Sequence, residues 1–96
     1  MTSKQRAYLM GQAHNIDTIF HIGKSSLTPE ITEAINEALA KRELIKLNVL
    51  KNCMDDPKSI GITLSERTNS ELIQVIGRKI ELYRKSKDNP KIELPK

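Results

Sequence analysis

Residues 19–30, IFHIGKSSLTPE, decide how this chain folds. An apolar run there meets the small and polar residues 23–26, and a helix start follows at once. Thr28 suits the N-cap because its hydroxyl can accept a free main-chain N–H group, and Pro29 suits the first helical position, where no N–H is needed. The stretch therefore predicts a strand, a short loop and a helix in succession.

The loop at residues 23–26 is also a candidate anion site. A helix N-terminus carries about +0.5 of an elementary charge, and Lys24 places a further positive charge beside it. Phosphate groups bind readily in such positions, although small-residue loops serve just as often as plain connections. If a polyanion binds here, the expected contacts are Gly23, Lys24, Ser25, Ser26 and Thr28.

Helical and alternating periodicity predict the other elements. Helices are expected at residues 3–14, with Ser3 as the N-cap, at 29–41, and from Asp55-Asp56-Pro57 to about residue 68; strands are expected at 16–22, 44–50, 72–76 and 80–84. Gly77-Arg78 is expected to form the turn between the last two strands, because glycine supplies the positive φ that tight turns need. Residues 86–96, which contain two prolines among charged residues, are expected to form a loose tail.

The predicted order is α-β-α-β-α-β-β, in one α/β domain that spans residues 1–96. Strands separated by a helix are expected to pair in parallel, whereas the last two, joined by a tight turn, must be antiparallel. A four-stranded mixed sheet follows. A chain of this length has room for one modest core and for no large enclosed cleft.

Charge and cysteine content narrow the class of protein. Sixteen Lys and Arg against twelve Asp and Glu give a net charge of +4, which favours polyanionic partners. The single cysteine, Cys53, cannot form an internal disulfide and fits a reducing cytoplasm. No apolar run approaches the roughly 20 residues that cross a bilayer, so we expect neither secretion nor a membrane partner.

No catalytic residue, cofactor or metal ligand is expected. Gly23-Lys24-Ser25 matches the end of a nucleotide-binding P-loop, but the first glycine of that motif would fall at Thr18. His14 and His21 are the only imidazoles, and neither has the spacing of a metal ligand. The sequence therefore predicts a binding protein and not an enzyme.

Nucleic acid is the partner with the most support. The three aromatic residues, Tyr8, Phe20 and Tyr83, are too few for a sheet that stacks several bases. Contacts through phosphates are expected instead. They would come from the loop and from Lys4, Arg6, Arg78 and Arg84. The alternative left open is that scattered lysines only keep a small protein soluble.

Four blocks of sequence, read together, carry a resemblance to a known family. They are residues 9–14 (LMGQAH), 22–28 (IGKSSLT), 43–46 (ELIK) and 74–84 (QVIGRKIELYR). In this order and spacing they resemble the YhbY family of bacterial RNA-binding proteins, the stand-alone form of the CRM (chloroplast RNA splicing and ribosome maturation) domain. The resemblance covers roughly residues 3–94.

The resemblance implies a fold similar to the C-terminal domain of translation initiation factor three. It also implies binding of structured RNA, namely ribosomal RNA in precursors of the large ribosomal subunit, by a protein that we expect to be monomeric. A different class stays open, a protein-interaction module on a ribosomal or translation particle whose RNA contact is incidental.

The family's loop pattern is G-x-x-G, and this chain departs from it. Gly23 matches the first glycine, but Ser26 stands at the second. Serine lacks the freedom of glycine at positive φ, so close approach of RNA to the main chain is less secure at Ser26 than at Gly23. Its hydroxyl is a candidate for an additional phosphate contact.

Overall fold

Three helices and four strands follow one another in the predicted order. The computed structural model describes residues 1–96. The helices are α1 (Ser3–Ala13), α2 (Pro29–Arg42) and α3 (Pro57–Arg67), and the strands are β1 (Thr18–Ile22), β2 (Leu44–Val49), β3 (Glu71–Ile76) and β4 (Lys79–Tyr83). The predicted α-β-α-β-α-β-β order is confirmed. None of the helices is long and apolar enough to span a bilayer.

Local signals place the start of two helices as predicted. Thr28 Oγ1 accepts from the Ile31 N–H at 3.1 Å, and Pro29 is the first residue of α2. Asp56 Oδ2 accepts from the Ser59 N–H at 3.1 Å and caps α3. In both cases a side-chain oxygen satisfies a main-chain donor that has no partner within the helix.

The cap of α1 was predicted one residue too late. Thr2, not Ser3, is the N-cap: its hydroxyl accepts from the Gln5 N–H at 3.1 Å, and the Gln5 side chain accepts from the Thr2 N–H at 3.0 Å. This reciprocal pair is a capping box, which needs Gln or Glu three residues after the cap. Ser3 has Arg6 at that position, so only Thr2 completes the box.

The sheet is mixed, and its strand order differs in one respect from the expected pairing. Strands β1 and β2 are parallel neighbours, and β3 and β4 form the predicted antiparallel hairpin. The order is β1-β2-β4-β3, so β4 lies between β2 and β3, and the expected parallel pairing of β2 with β3 is wrong. Ile80 and Leu82 of β4 are fully buried, so the hairpin places its more buried strand at the centre of the sheet.

The two faces of the sheet are covered unequally. Helices α2 and α3 cover one face over the main core, in which Ile45, Leu47 and Ile80 are buried. Helix α1 lies on the other face and packs Leu9 and Ala13 against Leu44, Ile73 and Tyr83. Because the latter three lie at one end of the sheet, the other end of that face has no helix over it.

Gly61 weakens α3 as a helix, but it lies where the helix packs closely against the β3–β4 hairpin. A Cβ added at this position would lie 3.0 Å from Leu72 Cδ1 and 3.4 Å from Ile80 Cγ2. The glycine therefore permits close packing of α3 on the hairpin, which offsets its intrinsic helix cost of up to about 1 kcal/mol.

The segment 86–96 forms no helix or strand, but it is not the loose tail that was predicted. Glu43, which is fully buried, accepts at Oε2 from the Ser86 N–H (2.7 Å) and at Oε1 from the Lys91 and Ile92 N–H groups (2.6 and 2.8 Å). Ile92 and Leu94 then pack against the α1 side of the core. One buried carboxylate thus holds the chain terminus on the domain.

Glu43 stays ionised in this position. Burial by itself raises the pKa of its carboxyl, but the three main-chain donors and the charge of Lys85 outweigh burial and lower the pKa below its ordinary value of 4.5. Burial, and secondarily the Glu43 charge, raise the pKa of the Tyr83 hydroxyl. Both groups therefore keep their ordinary charge state at neutral pH.

Glu43→Gln keeps the size of the side chain and removes its charge. Since three donors lose a charged acceptor, we expect a loss of about 1–3 kcal/mol in the free energy of unfolding at pH 7, measured by urea denaturation. The carboxylate stabilises the fold above its unfolded pKa near 4.5, and this contribution disappears as the pH falls through the lower folded pKa. The gap between parent and variant should therefore narrow below pH 4.5.

Exposed Glu37 on α2 supplies the control for this experiment, since Glu37→Gln should change stability by less than about 0.5 kcal/mol at any of these pH values. A stability gap for Glu43→Gln that is independent of pH would contradict the assigned ionisation.

The turn at Gly77-Arg78 gives a second prediction, which compares Gly77 with Gly11. A Cβ added at either glycine would meet no other atom within 4 Å. Gly77 has a φ of +58°, whereas Gly11 lies within α1. Gly77→Ala should lower the stability by about 1 kcal/mol or more, or roughly 4–8 °C in thermal midpoint, while Gly11→Ala should raise it. Equal midpoints for the two variants would refute the assigned turn conformation.

Candidate nucleic-acid interface

The loop between β1 and α2 is a closed turn with an exposed tip. The Ser26 N–H donates to the Gly23 carbonyl at 2.9 Å. Lys24 and Ser25 are exposed at the tip, and their main-chain N–H groups donate to no acceptor in the protein. The loop thus directs one ammonium group and two free donors toward solvent, as an anion site requires.

Ser26 adopts the conformation that glycine would prefer. Its φ is +53°, in the left-handed region. The Ser26 hydroxyl donates to Asp55 Oδ2 at 2.5 Å, so the hydroxyl suggested as a phosphate contact is already bound within the protein. This hydrogen bond helps to hold a backbone conformation that costs an L-residue roughly 1 kcal/mol.

Thr28 and Gly23 flank the exposed tip of the loop. The Thr28 hydroxyl is used by the helix cap, and Glu30 in the first turn of α2 already places a negative charge near the helix N-terminus. Gly23 does not have a positive φ, and a Cβ there would meet Asn52 and Leu50 atoms at an ordinary 3.5 Å. The fold therefore leaves room for a Cβ atom, as in alanine, at position 23.

Arg78 lies at the same end of the sheet as the loop. Its carbonyl accepts from the Val49 N–H at 2.8 Å, and its guanidinium donates to the Leu50 carbonyl at 3.2 Å. The Leu50 N–H in turn donates to the Ile22 carbonyl at 2.8 Å, directly before Gly23. Three connections thus meet side by side: the Gly23 loop, the start of the β2–α3 connection and the β3–β4 turn.

The structure separates Arg6 and Arg84 from this end. Arg6 Nη1 donates to the Leu72 and Ile73 carbonyls at 2.6 and 2.8 Å, and its guanidinium lies 3.9 Å from the Glu71 carboxylate. These contacts tie α1 to β3. Arg6 was predicted as an RNA contact, but its principal contacts are with the protein's own main chain.

Arg84 is likewise occupied, at the opposite end of the sheet. Its guanidinium donates to the Asn36 side chain and carbonyl (2.5 and 2.9 Å) and to the Thr68 carbonyl (2.7 Å). It follows Tyr83, which pairs with Leu44 at the start of β2. Lys4 is exposed on α1 and forms no ion pair or hydrogen bond through its side chain. Of the predicted cations, only Lys24 and Arg78 are brought together.

A third basic residue, missed by the sequence analysis, joins them. Lys51 is exposed in the β2–α3 connection, next to the Leu50 carbonyl that Arg78 contacts. The sequence gives no sign of its position, because the neighbourhood arises only from the pairing of β2 with β4. Lys24, Lys51 and Arg78, together with Lys79, form what we call the basic end of the sheet.

The family assignment rests on a match over most of the chain. The sequence profile of the CRS1 / YhbY (CRM) domain matches residues 1–84. The chain belongs to this family. The resemblance noted in the four sequence blocks is thereby confirmed.

Individual relatives of this CRM domain match it from end to end. It is 42% identical over 95 residues to the Bacillus subtilis (strain 168) protein named "Probable RNA-binding protein YqeI", with 99% of both chains covered. It is 31% identical over 96 residues to a Haemophilus influenzae protein named "RNA-binding protein", covering 100% of this chain and 96% of that one. The solution structure of hypothetical protein SAV1595 from Staphylococcus aureus matches with a TM-score of 0.82 at 53% identity, covering 99% of both chains.

The conformation of the CRM loop generates a stability prediction. Ser26→Gly and Ser26→Ala both remove the hydroxyl that Asp55 holds, but only glycine adopts a φ of +53° without strain. We expect Ser26→Gly to be the more stable of the two by about 1 kcal/mol. The same pair of changes at Ser25, whose φ is not positive, should reverse the order. Thermal unfolding of the four variants measures both differences, and an identical order at the two positions would contradict this account.

Proposed function

We propose that this CRM domain binds structured RNA through the basic end of its sheet, and that the cellular RNA is ribosomal RNA in precursors of the large ribosomal subunit. The exposed loop carries the binding proposal, because Lys24 stands beside two main-chain donors that have no acceptor in the protein. The names of the full-length relatives, which describe them as RNA-binding proteins, support it. The ribosomal part rests on the family resemblance alone.

Gly23 gives independent support. A fold requires glycine where φ is positive or where a Cβ would collide with a neighbouring atom, and neither condition holds at position 23. Ligand binding accounts for glycine at position 23, because a phosphate can approach the main chain closely only where no side chain intervenes. Ser26 would contribute through the turn it closes and not through its hydroxyl.

Charge indicates the side on which the RNA backbone passes. On the side that faces α3, Asp55 binds Ser26 and Asp56 caps the helix, but Arg67 lines the same cleft, so the charge there is mixed. Residues 50–54 and 76–79, at the basic end, include Lys51 and Arg78 and no carboxylate. A polyanion is attracted more strongly by the second side, so the backbone should cross the loop on the side of the β3–β4 turn.

A second candidate function has one observation in its favour. Met54 is 92% exposed and Leu50 is 38% exposed, and both lie in the β2–α3 connection beside the loop. Apolar side chains in this position suit a protein partner, as in an interaction module on a ribosomal particle. Such a contact depends weakly on salt, whereas neutralising phosphates makes binding depend steeply on it.

Lys24→Ala tests the first function. We expect weaker binding to a structured RNA and a fall of roughly 0.7 to 0.9 in the slope of log affinity against log salt, as one phosphate contact is lost. The thermal midpoint should be unchanged, since the side chain is exposed. Fluorescence anisotropy titrations over a range of potassium chloride concentrations measure the slope.

Lys41→Ala provides a matched control. Lys41 is exposed near the far end of α2, about 20 Å along the helix from the loop. The control should bind as the parent does. If Lys24→Ala also binds as the parent does, the loop is not the phosphate site.

The ribosomal assignment has a test of its own. Co-sedimentation of the parent, but not of Lys24→Ala, with large-subunit precursors would support it.

A further inference from the structure

The face of the sheet that carries α1 is open at the basic end. Leu9 and Ala13 of α1 pack over Leu44, Ile73 and Tyr83, which lie at the opposite end of their strands. Toward the loop, each of the four strands presents one side chain on this face: His21, Asn48, Lys79 and Ile76. We call these four the open row.

Strand register places the open row in a line across the sheet. His21 pairs with Asn48, Asn48 with Lys79, and Lys79 with Ile76. Paired residues on neighbouring strands point to the same face, and the Asn48 amide nitrogen lies 3.4 Å from His21 Nδ1. With neighbouring strands about 4.8 Å apart, the row spans roughly 14 Å, enough for a short segment of nucleic acid.

The side chains of the row combine three kinds of contact. Ile76 is 50% exposed, an apolar surface in polar surroundings, and the exposed His21 ring lies at the other end. Unpaired bases stack on imidazole rings and pack against apolar side chains, and an amide such as that of Asn48 can donate to and accept from a base edge. Lys79 supplies the cation for the phosphate of such a nucleotide.

The charge of this face is compatible with RNA. Two strand carboxylates lie on it. Glu81 accepts from the Gln74 amide at 2.8 Å and pairs in register with Lys46, and Glu71, at the far end, lies 3.9 Å from the Arg6 guanidinium. Lys79 is left as the excess positive charge. The row is also continuous with the basic end, since His21 precedes Ile22-Gly23 and Ile76 and Lys79 flank the Gly77-Arg78 turn.

We propose that the open row binds an unpaired segment of the RNA whose backbone lies against the Gly23 loop. One base packs on His21 or Ile76, and Asn48 contacts a base edge. This inference rests on the proposed function and deepens it. The preferred ligand is an RNA stem with unpaired nucleotides beside it. A fully paired stem is bound through the loop alone.

Two RNAs with the same stem test the proposal, one fully paired and one carrying a short unpaired bulge. The parent should prefer the bulged RNA. The double variant His21→Ala/Asn48→Ala should lose about 5- to 30-fold in affinity for the bulged RNA, the effect of losing a base contact of ordinary strength, and should bind the paired RNA within about twofold of the parent.

His14→Ala/Asn15→Ala is the matched control, with the same two chemical changes at exposed positions after α1. It should bind both RNAs as the parent does. A measurement on the parent guards against a variant that folds poorly: the bulged RNA, and not the paired one, should shift the NMR signals of the Asn48 side-chain amide and the His21 ring.

The outcomes separate this inference from the proposed function. If the row variant binds both RNAs as the parent does while Lys24→Ala still weakens both, the open row does not bind RNA and the loop assignment stands. An equal loss for both RNAs would also overturn the inference, because the row would then contact the paired stem. If Lys24→Ala and the row variant both bind as the parent does, the proposed function fails together with the inference.

Discussion

The position of β4 between β2 and β3 is the constraint on which the rest of the structure depends. The β2–β4 register sets Asn48 opposite Lys79, and the Val49 N–H donates to the Arg78 carbonyl at 2.8 Å. The β3–β4 turn is thereby held against the β2–α3 connection, which is itself bonded to the end of β1. Without this pairing the basic end would not exist, because its cations come from three segments that are far apart in sequence.

The same arrangement divides the cations into structural and exposed groups. A guanidinium offers five donors in a rigid fork, and Arg6 and Arg84 use theirs on main-chain carbonyls of other elements. Lys24 and Lys51 keep their ammonium groups in water. Net charge therefore overstates the surface available to a polyanion, since these two arginines stabilise contacts between elements.

Left-handed residues bracket α2 at its two ends. Ser26 and Glu43 have φ values of +53° and +65°, and each is held by contacts from a distant part of the chain: Asp55 binds the Ser26 hydroxyl, and the segment 86–92 donates to the Glu43 carboxylate. Backbone strain of this kind persists where surrounding contacts over-determine the conformation. At Ser26 that strain shapes the candidate binding loop, and at Glu43 it anchors the end of the domain.

The sequence by itself determined the element order, two helix caps, the Gly77 turn, the family and the candidate loop, because those signals lie in hydrogen bonds and periodicities within a few residues. Only the tertiary structure decided where β4 inserts, that Arg84 binds Asn36, and that Glu43 holds the tail. Arg84 and Asn36 are 48 positions apart, as are Glu43 and Lys91. No local pattern encodes such contacts, since they depend on which strands become neighbours once apolar side chains are buried on both faces of the sheet.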